Sequence, residues 1–460
     1  MVWLLCSSLS AYAWDWWPLP MAEPDTCRDE IRYEGGVSAV FAGKDGAPTG
    51  FLFNRYGEIS SQPYSGNLWA GVVKPATRPN RWFDYDGAVV LCGQFSKKPT
   101  GFFRALYAHV RLYIIDITAG IRPVHYGPGD EELSSGGLLF STNTHPIPRI
   151  SVGIDRWTAF PGLYGYLEIK GGITHGWLGD KNEYVSKTLL HHKYIGGRIG
   201  GKLPVNISYE FHHAAQWGGH SVIHGDLGND LRALWHVFSG QGGGTTRNEI
   251  QNAQGNHLFS QTLCLTAKGE GWHVDAYWQN INEDGPVKFI GMTMNVKDGL
   301  WGISAEQDRW PFISGLTFEV LQTTDQSGPW HDRDGMVFGG NDTYYWNSIY
   351  QQGWTYFDRT IGSPLLTPQD SRVWAYHGGV KGDIYGFRYR VTATYSDHYG
   401  TYRHPLRGHN TAMLIEVKKT VEQAWGLEFG LALAGDFGTQ YGNRFGGMIT
   451  VRKQGIIKQW

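Results

Sequence analysis

The histidines are the first residues here whose type and spacing could do chemistry. Of 18 in 460 residues, His191-His192, His212-His213, His220 and His224 fall close together. Imidazole is a common metal ligand and proton carrier. On a regular strand, however, neighbours leave opposite faces, so neither adjacent pair can chelate from one side, and no HExxH-type spacing is present. A hydrolase would need a serine or threonine nucleophile, a histidine and an orienting group. Ser221 lies near His220 and His224, but no nucleophile elbow surrounds it. Glu283, Asp284, Asp332 and Asp334 could be drawn as paired carboxylates for glycoside cleavage; they read more simply as solvated loop acids. The run Gly240 to Gly244 lacks the Lys-Ser/Thr of a phosphate loop. The expectation is therefore no enzyme, no metal and no cofactor.

Flat rings interleaved with hydrogen-bonding groups are a denser signal. Residues 325 to 371 hold Trp330, Tyr344, Tyr345, Trp346, Tyr350, Trp354, Tyr356 and Phe357 among Asp332, Arg333, Asn341, Asp342 and Arg359. A second cluster holds Tyr399, Tyr402, Arg403, His404 and Arg407. Apolar sugar faces stack on aromatic rings, while hydroxyls and uronic carboxylates take amide, carboxylate and guanidinium partners. The carbohydrate-binding candidates are Trp330, Asp332, Arg333, Asn341, Asp342, Tyr344, Tyr345, Trp354, Arg359, Tyr399, Tyr402, Arg403 and Arg407. The same rings would serve equally to pack long loops together and lid whatever lies beneath.

What must position them is a sheet. From Tyr385 to Ser396, Tyr385, Phe387, Tyr389, Val391, Ala393 and Tyr395 alternate with Gly386, Arg388, Arg390, Thr392, Thr394 and Ser396. A period of two is a strand, and an apolar face with tyrosines at its rims suits a strand crossing a bilayer. The pattern recurs at Leu106 to Ile114, Leu163 to Gly171, Leu203 to Phe211, Trp272 to Trp278 and Trp425 to Leu433, and more faintly at 31 to 41, 65 to 73 and 86 to 95. Read back from the carboxyl end, strands at 444 to 453, 422 to 435, 410 to 418, 384 to 397, 372 to 381, 312 to 324, 299 to 308, 271 to 280, 257 to 267 and 203 to 216 alternate in direction. Turns at 381 to 383, 419 to 421, 309 to 311 and 268 to 270 then share one side. Connections 217 to 256, 281 to 298, 325 to 371, 398 to 409 and 436 to 443 share the other. Long loops outside and short turns inside are the habit of outer-membrane barrels. Hydrocarbon cannot satisfy an open edge, so the sheet must close, with Arg388, Arg390, Glu210, His212, Asp275 and Glu428 in the lumen. At roughly 25 residues per strand and connection, about 16 to 18 antiparallel strands fit the length. Inside the loop 217 to 256, Leu227, Leu231, Leu234, Trp235 and Phe238 recur at helical spacing and predict a short amphipathic helix over the barrel mouth.

Composition agrees. The chain has 63 glycines, 25 tyrosines and 20 tryptophans, 14% aromatic and 18% charged residues, and formal charge −2; its mean hydropathy is −0.35. No run approaches the roughly 20 apolar residues of a membrane helix. The charge balance offers nothing to nucleic acid. Val2 to Ala13 is a short apolar run ending Ala11-Tyr12-Ala13, a small-x-small cleavage pattern, so residues 1–13 are expected to be a signal peptide and 14–460 one barrel domain. Cys6 follows Leu5, which disfavours a lipoprotein site. A Cys27 to Cys92 bridge is one option among three odd cysteines.

The segment NDTYYWNSIYQQGWTYFDRTIGSPLLTP, residues 341 to 368, resembles outer-membrane capsule-assembly proteins of the Wzi type. So do TLLHHKYIGGRIGG, DLRALWHVFSG with the GNHL after it, NEDG then DGLWGI, and the closing ITVRKQG; together they span most of the chain beyond about residue 130. The resemblance implies an eighteen-stranded closed barrel in the outer membrane of a Gram-negative cell. It also implies a surface lectin that binds and organises capsular or other surface polysaccharide, without catalysis. It assigns none of the binding residues. The second functional reading is a porin for small solutes or sugars.

Overall fold

A computed structural model describes residues 29–77, 82–179, 183–283, 297–327, 331–333, 336–339 and 342–460. The expected signal segment and Cys27 lie outside these residues. Eighteen strands form one sheet. In chain order they begin with β1 (Glu30–Ala42), β2 (Tyr64–Lys74), β3 (Phe83–Phe95), β4 (Thr100–Leu112), β5 (Ile115–Ile121) and β6 (Pro148–Ala159). Next come β7 (Leu167–Trp177), β8 (Leu189–Ile199), β9 (Val205–Trp217), β10 (Asn256–Gly269), β11 (Trp272–Asn282) and β12 (Gly299–Gln307). The last six are β13 (Gly315–Gln322), β14 (Val373–Ile384), β15 (Phe387–Gly400), β16 (Pro405–Val421), β17 (Leu427–Gly438) and β18 (Arg444–Gln459). Each pairs antiparallel with its sequence neighbours, and β18 returns to β1 in a register running from Glu30↔Gln459 to Ala42↔Gly446. The ring leaves no ladder edge open to hydrocarbon. The last strand, placed at 444 to 453 by its periodicity, continues to Gln459 and pairs with β1 to close the barrel.

Asp29, Trp460 and the short turns share one end of the barrel; the long connections 43–63, 122–147, 218–255 and 323–372 share the other. Several turns sit a few residues away from where periodicity put them, because left-handed residues decide the place. The β14–β15 turn is Tyr385 and Gly386, φ 54° and 77°, not 381 to 383. Tyr113 (φ 57°) ends β4 within the predicted strand Leu106 to Ile114. Gly162, Tyr164 and Gly165 all have positive φ, so Leu163 begins a turn and the strand starts only at Leu167. A strand cannot contain consecutive left-handed residues.

The two faces divide as alternation requires. The outward middle band is aliphatic, including Leu68, Val89, Ile117, Ile195, Ile207, Leu263, Ile415 and Leu431, all exposed. Rings edge it: Tyr113, Tyr164, Trp310, Tyr385 and Trp425 at the short-turn end, and Phe41, Tyr64, Phe95, Phe437 and Phe445 at the other. Exposed apolar surface circling the molecule between two aromatic girdles is a lipid-facing wall. Inside, charges pair: Arg452 with Glu428 at 2.5 Å, Arg388 with the same Glu428, Arg390 with Glu416 at 3.0 Å and Lys170 with Glu210 at 2.6 Å. A paired lumen is how a barrel carries charge at membrane depth without exposing it to lipid.

The outer half of the lumen is filled by the long loops themselves. Residues 43–63, which include the single-turn helix α1 (Thr49–Leu52), dip inward and are tied by Glu58 to Arg104 and by Arg55 to Glu416 at 3.5 Å. Residues 122–147 enter beside β13 and β14. The core lies inside the barrel, not between layers: Leu138, Leu139, Phe140, Tyr344, Tyr345, Trp354, Ile361 and Leu366 form one cluster, with Leu300, Leu321 and Ala375 of the wall. Two further helices, α2 (Leu231–Ser239) and α3 (Arg247–Gln251), follow β9.

Candidate functional site

The thirteen ring and polar candidates separate into four groups by position. Trp330 and Asn341 lie outside the described residues. Asp332 and Arg333 are in the short strand His331–Arg333, paired with Met336–Gly339. Tyr344, Tyr345 and Trp354 are each 0% exposed. No face of these rings is open in this arrangement, and they hold the loop to the plug. The Trp354 indole donates to the Leu139 carbonyl at 2.7 Å and meets Phe140 edge-on at 5.7 Å. Tyr345 donates to the Leu138 carbonyl and accepts from the Ser363 amide at 2.9 Å. Gly362 lies against both the Leu138 carbonyl and that hydroxyl, so a Cβ there would displace them. Arg359 likewise turns inward, donating to the carbonyls of Leu52 and Ile59 at 2.7 Å each.

Asp298, which sequence reasoning missed, joins two loops. Its carboxylate accepts from the amides of Asp325 (2.9 Å) and Gln326 (2.7 Å) and from the Tyr344 hydroxyl (2.7 Å). Burial pushes its pKa up to about 6 against an ordinary 3.8, the three donors only partly offsetting desolvation. The folded chain thus holds this proton more tightly than the unfolded one. The stability tied to it is fully present below the unfolded pKa and is lost as pH rises through about 6, on the order of 2–3 kcal/mol. Amide protection at Asp325 and Gln326, corrected for intrinsic exchange, is expected to fall between pH 4 and 7 in the unaltered chain. In Asp298→Asn it should stay flat; equal slopes would remove the assignment.

The remaining candidates gather at the outer rim. Arg372 stacks on Tyr402 at 3.9 Å and donates to the Thr324 carbonyl at 3.1 Å, while the Tyr402 hydroxyl donates to the Asp325 carbonyl at 2.9 Å. Lys297 reaches Asp325 at 3.5 Å. Exposed Arg403 stands 5.9 Å over Trp346, itself 37% exposed. Arg407 stacks on Tyr399 at 4.9 Å. Asp342 is half-buried and accepts from the Ser327 hydroxyl. Trp346 and Arg372 were absent from the predicted set. Trp346 sits in the ring-rich run and was within reach of sequence reasoning, whereas Arg372 carried no signal of its own. The result is an exposed surface of rings, guanidiniums and carboxylates drawn from four separate segments.

One triad-like arrangement stands away from the rim. Ser396, His398 and Asp370 have the connectivity of an acyl-transfer triad, with serine Oγ to Nε2 at 2.9 Å and Nδ1 to carboxylate at 2.6 Å. Ser396 and His398 are each 1% exposed, and Gln440 and the Gly400 amide also occupy Asp370. A reacting carbonyl needs open space beside the nucleophile, so this chain of hydrogen bonds ties strand to loop. The adjacent histidines split between faces: His192 and His212 share a bond of 3.0 Å inside, and His213 and His257 one of 2.8 Å outside. At the short-turn end a cavity of about 1340 Å³ is lined by Trp157, Lys170, Arg198, Glu210, His212 and Asp275 among others, with residues 124–129 on its wall. His212 and Asp275, expected in the lumen, are therefore there.

The sequence profile of capsule assembly protein Wzi matches residues 36–380. The chain belongs to the Wzi family. Among solved structures, this Wzi-family barrel is similar to Wzi of Escherichia coli, an outer membrane protein involved in group 1 capsule assembly and described as a carbohydrate-binding β-barrel. The two share 15% identity, a TM-score of 0.59, and coverage of 92% of this chain and 84% of that one. It is also similar to OccK5 (OpdH) of Pseudomonas aeruginosa, at 9% identity, TM-score 0.48 and coverage of 94% and 98%. A BenF-like porin of Pseudomonas fluorescens Pf-5 gives 9% identity, TM-score 0.49 and coverage of 93% and 99%. Comparison with curated proteins finds no match. The Wzi-family barrel, with its lipid-facing wall, is an outer-membrane protein.

Proposed function

We propose that this Wzi-family protein binds a surface polysaccharide, capsular in kind, through its extracellular cap and holds it at the surface of a Gram-negative cell without chemically altering it. The observation that carries the reading is the rim surface of Trp346, Tyr402, Arg372 and Arg403, mounted on a barrel whose outer half is packed with loop. Rings offer stacking faces, and guanidiniums offer forked donors for hydroxyls and uronic carboxylates. A rigid platform lowers the ordering cost of binding a flexible chain. The role described for the Escherichia coli relative supports the same reading. Export would use residues 1–13 as the signal.

The test is direct binding of purified protein to a panel of capsular polysaccharides. Trp346→Ala with Arg403→Ala is expected to weaken binding at least tenfold, about 1.4 kcal/mol or more, while heat-modifiable gel migration stays unchanged. If no capsular glycan binds the unaltered protein, the reading fails. If the double variant binds as tightly, the site lies elsewhere on the cap.

A further inference from the structure

Helix α2 is apolar on two opposite faces, and the barrel accounts for only one. Ala233 and Val237 are buried against Ala215 and Trp217 on the outward side of β9, with Leu189 of β8 beside them. Asp230 caps the helix, accepting from the Ala233 amide at 2.7 Å, and Gly240 ends it in the left-handed region at φ 69°. Lys193, also on the outer wall, donates to the Phe238 carbonyl. The helix is thus fastened to the outside of the barrel, not over its mouth as periodicity suggested. On the far face Leu231 is 84% exposed and Trp235 59%, with exposed Arg232 next to them; half-buried Phe238 lies between the faces, its ring stacked on Trp235 at 5.7 Å and set against His191 at 5.6 Å and Lys193 at 4.0 Å of the wall. A helix of this length keeps two apolar faces only where each has an apolar neighbour.

Height identifies that neighbour. The lipid-facing residues of β8 and β9, Ile199, Ile195, Val205 and Ile207, are each more than half exposed. Trp217 stands further along β9. With about 3.3 Å per residue and a tilt near 40°, it lies roughly 30 Å above Val205, against a lipid band roughly 25 Å tall. The helix over Trp217 therefore begins where the band ends, at the headgroup level of the outer leaflet. It also shields His191, His213 and His257, each at most 6% exposed and facing out from the wall.

We propose that α2 lies in the outer leaflet's headgroup–acyl boundary, with Leu231 and Trp235 among the lipid chains and Arg232 at the phosphates. Helices with Trp and Leu on one face and a basic residue at the edge partition there. The surface is continuous with the lipid-facing wall, and this separates it from an isolated patch awaiting a protein. The loop 218–255 thereby gains a foot on the membrane that fixes one side of the cap.

The test uses full-length protein in which the four native cysteines are replaced, reconstituted in phosphatidylethanolamine–phosphatidylglycerol vesicles. Single cysteines at Leu231→Cys and Trp235→Cys carry a bimane label, with Ile195→Cys as the lipid reference and Asp226→Cys as the aqueous one. Labels at 231 and 235 are expected to be quenched by lipids bearing a shallow nitroxide about as strongly as at 195, and by iodide severalfold less than at 226. Iodide quenching equal to that at 226 would overturn the proposal in favour of bare exposure. Protection from both quenchers, with cross-linking between chains at these positions, would replace lipid by a second copy. Both side chains point away from the wall, and heat-modifiable migration checks that each variant folds.

Discussion

Replacing Lys381 and Glu319 together by alanine is expected to convert an electrically silent barrel into one with frequent openings. Both side chains project into the lumen from β14 and β13 and hold the segment 130–135, part of the loop that fills the outer half. The Lys381 ammonium lies 2.6 Å from Asp130, 2.9 Å from Glu306 and 3.3 Å from Glu132. Removing it leaves two carboxylates of the plug facing one of the wall, and breaking a buried pair from one side costs about 3–5 kcal/mol. Glu319 accepts from the Ser135 amide at 2.6 Å, the Ser134 hydroxyl at 2.8 Å and the Tyr277 hydroxyl at 2.6 Å. From the wall, Arg390 still donates to the Glu132 carbonyl at 2.7 Å and His377 to the Leu133 carbonyl at 2.6 Å, worth together about 2–3 kcal/mol; Asn54, which donates to the Ser135 carbonyl at 2.8 Å, and Tyr56, which donates to Glu131 at 3.4 Å, belong to the other inserted loop and not to the wall. In planar bilayers the unaltered protein should show no steady steps. Stable large conductance from it would remove the sealed barrel and restore the porin reading. A double variant that stays silent, with residues 122–147 as resistant to protease as before, would show that the plug is held by other contacts.

The wall was legible because one force writes it. Lipid on one side and paired charge on the other impose a period of two, and Phe387, Val391 and Tyr395 against Arg388 and Arg390 display it without any knowledge of neighbours. Turn positions were less legible: a left-handed Tyr385 or Tyr113 has no compositional signature, since tyrosine is also what the girdles use. The plug was legible only as one of two equal uses for the loop rings. Trp354 bonds to Leu139 and Arg359 to Leu52 across separations of 215 and 307 residues, and nothing local tells a ring that stacks on sugar from one that fills a lumen. Of the candidate rings, Tyr344, Tyr345 and Trp354 took the packing use and offer no free face. Trp346, two residues beyond Tyr344 in the same run, is an exposed ring, and Arg372 becomes part of the rim only because the 323–327 backbone folds beneath it. The predicted helix was real, but its second apolar face was read as a lid contact because sequence cannot tell inside from outside of a closed sheet.

Trp354→Ala is expected to unfold the cap while leaving the wall intact. The indole is fully buried, so its loss removes transfer energy and opens a cavity, about 3–5 kcal/mol for a large ring. The Leu139 carbonyl then loses its donor inside the lumen, adding about 1–3 kcal/mol. The backbone around it is equally committed: the Trp354 amide donates to the Tyr345 carbonyl at 2.9 Å and the Ile361 amide to the Trp354 carbonyl at 3.0 Å. The barrel owes this residue nothing, because each strand is paired on both sides and the ring closes through β1 and β18. Heat-modifiable migration should therefore persist. Residues 342–372 should become sensitive to protease, and the Ser141 amide, which donates to the Ile361 carbonyl at 2.8 Å, should lose protection from exchange. Glycan affinity should fall with them, since Trp346 would no longer be held beside Arg403. Trp346→Ala supplies the contrast: the same fall in affinity with protease resistance and exchange unchanged. If Trp354→Ala leaves loop protection intact, the plug does not depend on its central ring. If both variants lose protection equally, Trp346 is packing rather than contact, and the rim surface is not where the polysaccharide rests.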